Sequence, residues 1–167
     1  MQLLEALTTY FRGERGIGMA LVPVGFALLA LAFYLWRTQS GGFMWGLVAP
    51  LIVLGLAGAA GGAGLVIRTD AQVAELTAQH AEDPAAMASA EAERMEKVNA
   101  NWPRLKIVWL VLAAAAFTLL FVVKKDWAMG LGLALLLTST LGMWIDVFAE
   151  RRAEPYTQAL ERARQDP

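Results

Sequence analysis

The sequence predicts an all-α integral membrane protein, with four transmembrane helices in two hairpins and a cytoplasmic helical excursion between spans 2 and 3. Three observations carry that expectation. Apolar residues make up 57% of the 167-residue chain and charged residues 17%, for a mean hydropathy of +0.48. The apolar residues fall in uninterrupted blocks rather than recurring with the period of a surface helix or strand. The one long polar stretch, residues 68–104, has two such blocks on each side of it.

Residues 1–16 read as an interfacial amphipathic helix. Leu3, Leu4, Leu7, Tyr10 and Phe11 share one helical face, with Glu5, Thr8, Thr9 and Arg12 around the rest. That pattern suits a helix lying at the headgroups; a polar-capped start to the first span fits the same residues. Residues 17–67 form the first hairpin. Ile17 to Trp36 is free of charge for 20 residues, enough to cross roughly 30 Å of hydrocarbon at ~1.5 Å per residue. Arg12, Arg15 and Ala30-Leu31-Ala32 resemble a cleavable signal, but the apolar run continues through Phe33-Tyr34-Leu35-Trp36 and favours a retained span.

The second span runs from about Phe43 to Ile67 and contains Pro50, which frees a carbonyl and permits a kink. Its later half is glycine-rich. Gly58 and Gly62 form a GxxxG pair, and Ala60 and Gly64 a second small pair, which let two backbones approach where lipid gives no hydrophobic drive. The partner is either another helix of the same chain or a second subunit.

Residues 68–104 read as a helical pair. Thr69-Asp70 is a plausible cap, after which Val73, Leu76 and His80 share a face. Asp83-Pro84 ends one helix and starts the next, with Asp as N-cap and Pro at the first helical position. Met87, Glu91, Met95, Val98 and Trp102 then line a stripe. Arg94 can pair with Glu91 and Lys97 with Glu93, at modest strength. Glu91 is the most informative carboxylate: it either meets a tail arginine, Arg151 or Arg152, or faces a partner protein. The excursion is therefore expected to be ordered and antiparallel, turning at Asp83-Pro84.

The second hairpin occupies residues 105–149. Its spans run from about Leu105 to Val123 and Trp127 to Ile145, joined by the tight turn Lys124-Lys125-Asp126. Thr138, Ser139 and Thr140 can bond back to their own helix and need not line a path. Residues 150–167 form a cytoplasmic tail, in which Glu154-Pro155 breaks the helix and a short charged helix follows to Arg164. Every Lys and Arg except Arg37, Lys124 and Lys125 falls in the N-terminus, the excursion or the tail, or, as Lys106, directly beside the excursion. The positive-inside rule thus places these three in the cytoplasm. Short loops and the lack of processing signals point to a bacterial inner membrane.

Several function classes are disfavoured. The net charge of −1 offers no basic face for nucleic acid. With no cysteine and one histidine, neither a metal site nor a cofactor site is expected. No ionisable residue lies deep in a span, which weakens ion-coupled transport. His80, Glu91, Arg94, Trp102, Asp146, Glu150, Arg151 and Arg152 mark a cytoplasmic rim available for interaction. The expectation is a non-enzymatic protein acting through contact with a protein partner, as an accessory or scaffold subunit or an immunity-type binder, beside its contact with the lipid bilayer. One alternative is a homo-oligomeric channel or uncoupled carrier, with Gly58, Gly62 and Gly64 at the subunit contact. The other is a lipid-modifying enzyme at the rim, where a histidine and carboxylates would do acid-base work and arginines hold a phosphate.

Overall fold

The computed structural model describes residues 2–165, and no strand occurs among them. The helices are α1 (Gln2–Thr38), α2 (Gly42–Glu82), α3 (Pro84–Asn99), α4 (Trp102–Thr118) and α5 (Asp126–Gln165), with a π-helical turn at Leu119–Val123 closing α4. Four runs are long and apolar enough to cross a membrane: Leu3–Thr38, Gly42–Glu82, Pro84–Val123 and Asp126–Gln165. Lys124 then reverses the chain in the left-handed region, at φ 51°.

The helices are longer than local sequence signals imply. At 37 residues, α1 measures roughly 55 Å, far more than a bilayer core of roughly 30 Å. Three expected boundaries are absent as a result. Residues 3–11 continue into the long apolar part of α1 as one helix and are not a separate element. Their apolar face is covered by protein, with Leu7, Tyr10 and Phe11 buried against residues of α3 and α5. Thr69 and Asp70 cap nothing: α2 passes through them, Thr69 is buried and Asp70 accepts from Arg15 Nε at 2.9 Å. Pro155 does not break α5. It removes one N–H from the ladder, yet Ala153, Tyr156 and Leu160 around it are all buried, and that packing holds the helix on course.

Close backbone contact sets the order of the apolar helices. Gly25 of α1 lies against Gly55 and Ala59 of α2, and Gly18 against Gly62 and Val66, so the two run antiparallel. Gly42 and Gly46 of α2 meet the Trp127 backbone of α5 near the start of both helices, and Leu76 clusters with Tyr156 and Leu160 near their ends, so these two run parallel. On another face of α5, Gly132 lies against Ala116 and Gly142 against the Trp109 ring. The resulting sequence of neighbours is α1, α2, α5, α4.

The main hydrophobic core lies outside the charge-free parts of these helices, at one end of the molecule. It gathers Leu7, Tyr10 and Phe11 from α1, Leu76 from α2, Met87 and Met95 from α3, and Tyr156 and Leu160 from α5. Within the apolar stretches the only comparable cluster among the described residues is Ala32, Val48 and Leu51. Large residues such as Phe26, Val53, Leu110 and Phe121 are exposed there. This division is the one expected of helices long and apolar enough to cross a membrane. In lipid an outward Phe loses nothing, whereas the segments in water must bury their apolar faces on one another.

Candidate functional site

The polar end is built by four helical segments. Asp83 turns the chain between α2 and α3, its Oδ1 accepting from the Ala86 N–H at 2.9 Å with Pro84 at the first helical position. This is the expected cap, and it folds α3 back so that Met87, Met95 and Val98 join Val73 and Leu76 in one apolar cluster. The N-terminal turns of α1 and the C-terminal half of α5 complete the layer.

At its centre is a buried carboxylate. Glu91 is only 4% exposed. Arg94 reaches it with two hydrogen bonds, Nε to Oε2 at 2.7 Å and Nη2 to Oε1 at 2.6 Å. The Tyr156 hydroxyl donates to Oε1 at 3.1 Å. Tyr156 stacks on Tyr10, ring centroids 5.0 Å apart, and the Arg94 guanidinium lies 5.9 Å over the Phe11 ring. One ion pair on α3 thereby ties in α1 and α5. Burial, and then the Glu91 charge, pushes the Tyr156 phenol far above its usual range. Burial and then Glu14 raise that of Tyr10. The bond to Glu91 raises Arg94 further. Both phenols are therefore neutral at physiological pH; both serve as packing rings, and Tyr156 also as a donor.

The second polar set is a ladder between α4 and α5. The Trp109 indole donates to Asp146 at 2.5 Å. One turn nearer the polar end, Lys106 pairs with Glu150 at 2.7 Å. Further out, Trp102 donates to Asn99 at 3.2 Å and Asn99 to Thr157 at 3.1 Å. Asp146, Glu150 and Thr157 recur on one face of α5, so each rung fixes the same register. On the other side of α5, Arg152 lies over Gly13 and 3.5 Å from Glu14, with Nε and Nη2 buried and without a hydrogen bond.

The expected rim is thus divided rather than convergent. Glu91 and Arg94 pair with each other; Asp146, Glu150 and Trp102 belong to the α4–α5 ladder; Arg152 faces α1. The tail supplies Glu91 with Tyr156, not with Arg151 or Arg152, because those arginines lie at least one turn earlier on α5. His80 is half-buried, its Nδ1 enclosed without a hydrogen-bond partner, and it bonds to none of these carboxylates. Among the described residues no group of three His, Asp or Glu gathers as metal ligands would. Gly58 and Gly62 pack on α1, whereas Gly64 has open space around it.

Sequence reasoning missed Tyr10, Tyr156, Trp109 and Lys106. One signal was present: Lys106 and Trp109 lie three apart, Asp146 and Glu150 four apart, a match expected of facing rungs on two helices. The Tyr156–Glu91 contact had no such signal, being a meeting of residues 65 apart in the chain.

Two grooves open at this end. One, of about 860 Å³, lies between the start of α1 and the end of α5 and is lined by Leu3, Glu5, Ala6, Tyr10, Arg151, Arg152, Tyr156, Arg162 and neighbours. The other, about 500 Å³, lies beside the ladder and includes Trp102, Lys106, Glu150, Arg151 and Glu161. Set against protein-family models, curated proteins and solved structures, the chain matches none.

Proposed function

We propose that this is a non-enzymatic protein of the bacterial inner membrane that acts by binding another protein through its polar layer. In this reading the termini and α3 face the cytoplasm, and the protein serves as an accessory or scaffold subunit or as an immunity-type binder. The observation that carries it is the ordered layer, whose carboxylates at Glu91, Asp146 and Glu150 are already spent on internal partners. A catalytic rim needs an acid or base open to substrate, and these groups fix helix positions instead. The hydroxyls of Thr138, Ser139 and Thr140 bond to carbonyls of their own helix, and Gly58 and Gly62 are used within the chain. Both features favour a binding protein over a channel.

Affinity capture in mild detergent tests the reading. The protein should bring down a partner in fixed proportion, and Met95→Asp, which disrupts the layer, should release it. Recovery of the protein alone under several gentle conditions would count against it. Orientation is checked in the same cells. The chain has no cysteine, so single cysteines at Gln165 and Ser40 report sidedness without background, and only Ser40→Cys should label from outside the inner membrane.

A further inference from the structure

The larger groove has a charge and a position that specify its occupant. Its cationic lining residues are Arg151, Arg152 and Arg162, against Glu5 alone. Arg151 and Arg162 form no ion pair among the described residues, while Arg152 borders Glu14 at 3.5 Å. The rest of its lining is largely apolar, with Leu3, Ala6, Ala159 and Ala163 half-buried beside the buried Tyr10 and Tyr156 rings. Small residues along two neighbouring helices leave a trough suited to a third helix.

Position separates the possible occupants. Arg152 follows Ile145, the last residue of the apolar run, by seven residues, and Ala163 follows it by 18. Along a helix these offsets are roughly 10 Å and 27 Å beyond the hydrocarbon. Each headgroup layer is only about 5–8 Å thick. The groove therefore lies outside the lipid, and an acyl chain would have to leave the bilayer to cover its floor.

We infer that this groove seats an acidic, amphipathic helical segment of the partner protein. The inference rests on the partner-binding reading and names the chemistry of that partner. Carboxylates on the two edges of the segment pair with Arg151 and Arg152 at one end and Arg162 at the other, and its small apolar face covers Leu3, Ala6, Ala159 and Ala163. Such edge charges contribute modestly one by one and are sensitive to salt.

The test uses the full chain in nanodiscs of zwitterionic lipid and two fluorescent helical peptides that share an apolar face. One carries Glu along both edges, the other Lys. The Glu peptide should bind, more weakly as salt rises, and the Lys peptide should not. Arg151→Glu with Arg162→Glu should weaken binding by about tenfold or more, from two reversed rim charges. Arg164→Glu, outside the groove, should leave it unchanged. Failure of the Glu peptide to bind, equal binding of the Lys peptide, or indifference to the double substitution would each overturn the inference. So would displacement of the peptide by millimolar inorganic phosphate or by anionic lipid in the disc, which would assign the arginines to a phosphate group. Because no native partner enters this titration, its outcome is separate from that of the affinity capture. A partner still captured by the double variant sinks the groove and spares the broader reading.

Discussion

Replacing Arg94 with Met removes the counter-charge of a carboxylate that is 4% exposed and leaves it only the Tyr156 hydroxyl at 3.1 Å. Breaking a buried pair from one side costs about 3–5 kcal/mol. The Arg94 side chain is itself 33% exposed, so water screens part of the loss and the low end applies, ~3 kcal/mol. Removing both charges, Glu91→Met with Arg94→Met, should cost less than the single change. The remaining penalty, about 1–2 kcal/mol, is that of a buried Tyr156 hydroxyl left without an acceptor. Adding Tyr156→Phe should recover most of it. The readout is urea unfolding in nanodiscs followed by near-ultraviolet circular dichroism, to which the Tyr10–Tyr156 stack, at an interplanar angle of 14°, contributes directly. Loss of less than about 1 kcal/mol in Arg94→Met, or a double variant weaker than the single, would refute the view that this pair is buried and structural.

Three further outcomes follow from the same geometry. Met95 is fully buried, so Met95→Asp should unfold the polar layer while the apolar helices stay inserted, read by protease sensitivity of residues 84–99. The Tyr10 and Tyr156 phenols have folded pKa values raised above their ordinary 10.0. Their stabilising effect is therefore complete below pH 10 and is lost as pH rises from there toward the folded values. Tyrosinate absorbance should accordingly show Tyr10 and Tyr156 titrating late, together with loss of the layer's dichroism. A Cβ at Gly42 would lie 3.4 Å from that of Asp126, close to the roughly 3.5–4.5 Å span of a disulfide. Gly42→Cys with Asp126→Cys should thus cross-link on mild oxidation. Gly46→Val, whose added carbon would strike the Trp127 carbonyl, should abolish that link by driving α2 from α5.

The parts of this structure legible in the sequence are those that one segment decides by itself. Four charge-poor runs specify four long apolar helices, and Asp83-Pro84 specifies a helix stop and start, because a cap is made within four residues. The boundaries expected at residue 16, at Thr69-Asp70 and at Pro155 misled for one reason. Cap and breaker signals report what an isolated chain prefers, and tertiary packing outweighs a preference of a kcal/mol or so. Leu7 and Phe11 read as lipid-facing because an apolar stripe does not say what covers it; here α3 and α5 do. The Glu91–Arg94 pair was visible from its spacing but not its burial, which depends on Tyr156 arriving from the far end of the chain. Gly58 and Gly64 look alike in sequence, and only the path of α1 separates one that is packed from one that is open.

Amide hydrogen exchange across residues 73–80 and 88–98 in a lipid disc tests most directly whether the polar end is an ordered platform. Each of these segments is helical and contributes buried side chains, Leu76 from the first and Glu91 and Met95 from the second. Their amides should exchange many-fold more slowly than those of an unfolded peptide, and Arg94→Met should accelerate both segments together by about 100-fold, the equivalent of ~3 kcal/mol. Exchange of both segments at the rate of an unstructured chain would mean that residues 68–104 are a tether, and would contradict the account.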